Sequence, residues 1–237
     1  MRRRLIAGGL AAGAPGIVAV TLLLLPAMLA GKPLPMPLWA LQLIALLQSF
    51  LLLAVAAVAG ACLAPRTGLR APLLSAWACR APLGQAIRPA IVPGLAGGVV
   101  GAAALYLASR AAPVQMHIDT PIPVLARLLY GGITEELLMR WGLMTLIAWI
   151  IWRLFQHRAE HPSPAVIAAS IVLSALMFGA GHLPAAATLV GHLTAGVIAY
   201  VVIANAVFGV IAGWLYWTVG LEAAILAHIT THLCLLL

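Results

Sequence analysis

Runs of about 20 mostly apolar residues recur along this chain from one end to the other, and they constrain its fold more than any other feature. A helix of that length crosses a bilayer core roughly 30 Å thick with its backbone hydrogen bonds satisfied internally, where lipid offers no replacement. Only 8% of the 237 residues are charged and 64% are hydrophobic, whereas a soluble domain carries roughly 25% charge. No stretch is left that could form a water-soluble domain. The expected fold is all-α, a polytopic transmembrane helix bundle, read as a single membrane-embedded domain over residues 1–237.

About eight helical segments are expected, at 5–30, 38–64, 89–109, 122–156, 164–182, 185–204, 205–219 and 221–237. As one rod at 1.5 Å per residue, 122–156 would be over about 50 Å long, which predicts a break near Gly142 or an extension beyond the membrane. The segment 205–219 is short, begins with Asn205 and is followed by Gly220, and so reads as re-entrant. The first run, Leu5 to Ala30, follows Arg2, Arg3 and Arg4 as a secretory signal would. It is longer than a signal core, contains Pro15 and lacks a clean A-x-A site, which favours a retained span.

The thirteen Lys and Arg residues outnumber five Asp and Glu. The arginines are scattered among short loops and form no aromatic-flanked patch, so a nucleic-acid partner is not expected. Membrane orientation accounts for them: Arg66, Arg70, Arg80 and Arg88 fall in one loop and Arg153 and Arg158 in another, and both loops, with the N-terminus, are expected in the cytoplasm. Lys32 and Arg110 go to the opposite side. Cys62, Cys79 and Cys234 show no CxxC pairing and read as single core or lipid-facing residues.

The chemistry must lie with few residues. The acids are Asp119, Glu135, Glu136, Glu160 and Glu222, and the adjacent pair stands in an apolar helical stretch where a charged carboxylate costs several kcal/mol unless paired or hydrated. Arg140 follows Glu136 by four residues, so the two share a helix face as an ion pair. Glu135 points about 100° away and is left to face something else. This makes Glu135 the catalytic candidate and Glu136 the structural one.

Phe178-Gly-Ala-Gly-His182 ends an apolar helix before Leu183 and Pro184. Its small residues allow a neighbouring helix to approach and set the imidazole against a partner, or a merely interfacial histidine. In the last helix His228 and His232 share one face. With a glutamate and His182 they could bind zinc, or they could donate hydrogen bonds to a developing oxyanion; as core residues they could instead bond hydroxyls such as that of Thr194. Spacing does not choose among these. His192 reads as structural in an apolar segment. His117, His157 and His161 read as loop residues, and Trp141, Trp149, Trp152, Trp214 and Trp217 as interface anchors and packing residues.

These residues resemble those of the CPBP, or Abi, family of membrane-embedded glutamic-type proteases, which includes the eukaryotic CAAX-prenyl endopeptidase and bacterial bacteriocin-processing proteins. EExxxR appears as Glu135-Glu136-Leu137-Leu138-Met139-Arg140 and FxxxH as Phe178 to His182. A similar stretch runs from Asn205 through Phe208, Gly209 and Tyr216 to Glu222, and leads to the histidine motif at His228. The motif-bearing core is about 122–237.

The resemblance implies intramembrane peptide hydrolysis, with Glu135 and His182 activating water and His228 and His232 stabilising the tetrahedral intermediate. Glu136, Arg140 and Phe178 would support them. The family usually has asparagine where this chain has His232. A neutral imidazole can donate one hydrogen bond as an amide can, and it can also ligate a metal. The expectation is therefore a metal-free protease with no cofactor, with zinc bound by Glu135, His182, His228 and His232 as the alternative. The implied partners are membrane lipid and a membrane protein or lipidated peptide substrate, and the implied location is a prokaryotic cytoplasmic membrane. A transporter would use intramembrane Glu and His as a relay but predicts inverted repeats, and none is visible. A scaffold leaves the Glu and His sets without a purpose.

Overall fold

A computed structural model describes residues 1–116, 122–156 and 158–236, and these form an all-α bundle. Eight helices, numbered in chain order, make it up. They are α1 (Arg2–Leu29), α2 (Leu38–Thr67), α3 (Pro72–Cys79), α4 (Leu83–Ser109), α5 (Ala126–Phe155), α6 (Pro164–Val190), α7 (Ala195–Thr218) and α8 (Leu221–Cys234). All but α3 and α8 are long and apolar enough to cross a bilayer, so the protein is an integral, polytopic membrane protein.

The number of helices agrees with the expectation, but several boundaries do not. The expected loop at 65–88 contains the short helix α3. The expected re-entrant segment 205–219 does not exist as such: α7 runs unbroken through Asn205, whose Nδ2 donates to Val201 O one turn back at 2.8 Å, so the amide is satisfied inside its own helix. The expected helix 185–204 is instead divided at Gly191, which adopts a left-handed φ of 78°. His192 stands exposed in that link rather than within an apolar helix. Helix α8 ends at Cys234 after 14 residues, only about 21 Å of rise, and is shorter than the expected 221–237.

No break occurs near Gly142. The helix absorbs its length differently, winding with i→i+5 turns over Ala126–Thr134 and Leu137–Met144 before becoming a regular α-helix at Thr145. Threonines support the wide turns: Thr134 Oγ1 donates to Leu129 O at 3.2 Å and Thr145 Oγ1 to Arg140 O at 3.1 Å, each five residues back. Gly142 serves close packing, since a Cβ there would stand 2.5 Å from Ala56 Cβ on α2.

Two further helices fix where α5 and α8 sit. Helix α1 lays Gly9, Gly13 and Gly16 on α5: Thr134 Oγ1 also donates to Gly13 O at 2.8 Å, and a side chain on Gly16 would strike Thr134 and Leu129 O. Trp141 is in the core here, 2% exposed against Gly9 and Gly60, so it is a packing residue and not an interface anchor. On the opposite side α4 presents Gly94, Gly98 and Gly101 to α8, and Thr231 Oγ1 donates to Gly98 O at 3.0 Å. Small residues admit this close backbone approach, and the hydroxyl bond fixes the rotation of α8. The three cysteines are free, Cys79 exposed and the other two half-buried.

Candidate functional site

The wide-turn half of α5 faces α8 through two glycines. A Cβ on Gly131 would stand 2.6 Å from His232 Nε2, and one on Gly132 would collide with Ile229. This approach brings the histidine face of α8 against the glutamate doublet. His228 Nδ1 lies 2.8 Å from Glu136 Oε1, and since a carboxylate only accepts, that nitrogen carries the hydrogen. Its Nε2 lies 4.0 Å from Glu135 Oε2.

Glu136 is fully buried and shares the same oxygen with Arg140 Nη1 at 3.1 Å. The expected i,i+4 pair is present, yet Glu136 also holds His228, so it is more than an ion-pair partner for arginine. Arg140 extends the network: Nη2 donates to Gly209 O of α7 at 3.1 Å, and the guanidinium lies over the Phe178 ring, 4.9 Å from its centroid. A paired, hydrogen-bonded guanidinium of this kind is what a buried charge requires. Glu135 is the more open of the two, its side chain 18% exposed.

Helix α6 stops its regular course at Gly181, and a second helical turn restarts at Leu183 with Pro184 in its first turn, the end that the sequence suggests. His182 occupies the junction. Its Nδ1 bonds Phe178 O at 2.9 Å, and because a carbonyl only accepts, Nδ1 donates and Nε2 is left with a lone pair. The close approach of a neighbouring helix is also present, for a Cβ on Gly179 would stand 2.8 Å from Val202 Cα. Phe178 links the parts, its ring edge-on to His182 at 4.7 Å and to His228 at 6.1 Å.

The two rings of α8 stack, with centroids 4.8 Å apart and planes at 20°. Thr194 takes no part: its hydroxyl caps the start of α7 by accepting from Val197 N at 3.3 Å. Among the described residues no three His, Cys, Asp or Glu side chains are grouped so as to hold a metal ion. Thus Glu135, Glu136, Arg140, Phe178, His182, His228 and His232 gather between α5, α6 and α8. Glu160 and exposed His161 fall outside, in the link from α5 to α6. Glu222 lies at the far end of α8, where Oε1 accepts from Leu73 N at 2.8 Å and Leu74 N at 3.2 Å and so caps α3. His117, Asp119 and His157 lie outside the described residues.

Sequence reasoning placed Phe208 in the family-like stretch but gave it no role; its ring lies 4.4 Å from that of His228. It also passed over Gly94, Gly98 and Gly101. Their small-residue spacing on an apolar helix is a recognisable sign of close helix packing.

Residues 117–234, the C-terminal half of the chain, match a family model described as type II CAAX prenyl endopeptidase Rce1-like. No curated protein and no solved structure matches the chain.

Proposed function

We propose, from the premise that the chain belongs to the type II CAAX prenyl endopeptidase Rce1-like family, that it hydrolyses a peptide bond of a membrane-associated or lipidated protein with water activated by Glu135 and His182. The family match and the helical membrane bundle support a membrane-embedded hydrolase in general terms. The observation that carries the finer reading is His228, set between two carboxylates of unequal access: buried Glu136 at 2.8 Å and the more open Glu135 at 4.0 Å.

In this reaction Glu135 takes a proton from water as the water oxygen bonds to the scissile carbonyl carbon. The carbonyl π pair moves onto oxygen. His182 supports the attack through Nε2, free to accept from the same water because Nδ1 is committed to Phe178 O. His232 donates one hydrogen bond to the oxyanion. His228 has its Nδ1–H committed to Glu136, so it reaches the oxyanion as a donor from Nε2 only in its doubly protonated form. When the intermediate collapses the C–N bond breaks, and Glu135 returns its proton to the leaving amine. Arg140 holds Glu136 in place, so Glu136 and Arg140 position His228 and do not touch the substrate.

The test is cleavage of a quenched lipidated peptide, and of a membrane-anchored protein segment, by purified protein in lipid nanodiscs. Wild type should cleave at least one of them and E135Q neither. Full activity in E135Q would refute the assignment.

A further inference from the structure

Among the described residues, one cation in the site region has a buried nitrogen without a partner. Arg127 is in the first turn of α5, one turn before Gly131, which packs on His232. Its Nε is buried without a hydrogen-bond partner among the described residues. The residue as a whole is only half-buried. The acids described elsewhere are committed or distant: Glu136 and Glu135 face His228, Glu222 caps α3, and Glu160 lies in the link beyond the other end of α5.

An arginine whose only role is to reach headgroups lays its stem on lipid and its head in water. Arg127 instead buries the near end of its guanidinium one turn before the point where Gly131 meets His232, close to the end of α8. A partly desolvated guanidinium with no anion beside it among the described residues has its energetic need met by an external one, and a planar carboxylate fits its fork of donors.

We propose that Arg127 is a specificity-determining residue that receives a carboxylate of the substrate beside His232. This rests on the hydrolase reading above. Two sources share that chemistry, a free peptide C-terminus and an acidic side chain near the cut. The neighbouring His232 then sits between the anchored carboxylate and the glutamate doublet, so the anchored end of the peptide points toward the rim and the bond to be cut lies over Glu135.

Binding and cleavage are measured separately, in phosphatidylcholine nanodiscs. The probes are three S-farnesyl cysteine peptides with three residues after the cysteine: apolar with a free C-terminus, apolar with an amidated C-terminus, and amidated with one glutamate. Binding is read on the E135Q protein, and cleavage on protein with Glu135 intact. We expect a carboxylate-bearing probe to bind about tenfold more tightly than the neutral amide. R127Q should abolish that ratio and R127K restore part of it, with unchanged elution and melting behaviour. Preference for the free C-terminus or for the glutamate identifies the source. If R127Q leaves the ratio unchanged, or if neither carboxylate probe binds better than the neutral one, the proposal is wrong. If the ratio responds to Arg127 but nothing is cleaved by the protein with Glu135 intact, the anchoring role stands and the protease reading falls.

Discussion

His228 and Glu136, 92 positions apart in the chain, meet at 2.8 Å in a buried contact between α8 and α5. This contact joins the end of the chain to the charged doublet and makes Glu136 common to two partners, His228 and Arg140. It also fixes which edge of the His228 ring is turned toward Glu135.

Because Arg140 is 1% exposed and holds both Glu136 and Gly209 O, R140A should lower folded yield as well as activity. Removing one partner of a buried pair costs about 3–5 kcal/mol. E136Q should be destabilised in the same direction, and the E136Q/R140M double variant should regain much of the yield but none of the activity. Size-exclusion profiles and melting in detergent check this. An R140A protein with wild-type yield and Tm would contradict it.

Glu135 makes no buried hydrogen bond among those described and its side chain is 18% exposed. E135Q should therefore melt within a few degrees of wild type while losing activity by about 10²–10⁴-fold, the range for removal of a general base. A large fall in Tm would reassign Glu135 to the structural network.

His232 separates the metal-free reading from the zinc one. If it donates to the oxyanion, H232N should keep much of the activity, whereas H232A should lose about 3 kcal/mol of transition-state stabilisation. If it ligates zinc, both should fail, and chelation should remove wild-type activity that zinc restores. The measurement is cleavage by the three proteins with and without chelator, beside the metal content of the wild type.

The loops around Arg70 and Arg158 should be labelled from the same side of the membrane through introduced cysteines. They are separated by α4 and α5, both of spanning length, with α3 confined to the first loop. Two crossings return the chain to the side it left, and from the excess of arginine that side should be the cytoplasmic one. Labelling from opposite faces would refute the topology.

The α1 face against α5 should tolerate no added bulk. G16V places a branched side chain where Thr134 and Leu129 O already stand, and overpacking of this kind costs typically about 1–3 kcal/mol. Since Thr134 holds both Gly13 O and the wide turn at Leu129 O, activity should fall further than stability alone explains. Tm and kcat measured on the same preparation test this, and equal losses in both would remove the link to the site.

The sequence by itself determined the class of fold, because apolar runs of spanning length leave a chain no other solvent than lipid and no other structure than helices. It also determined the Glu136–Arg140 pair and the shared face of His228 and His232, since both follow from the helical period within one element. Only tertiary structure decided how those faces meet. Whether a long helix breaks at Gly142 or winds wide depends on Thr134 and Thr145 finding carbonyls five residues back while α1 and α2 press on it. Asn205 marks no boundary because its amide bonds within α7. The place of Phe208 and the tie of Glu136 to His228 are contacts between helices, and the same packing buries Arg127 Nε without a partner among the described residues. A local pattern records which face of a helix is special, but the partner of that face is set by the packing of all the others.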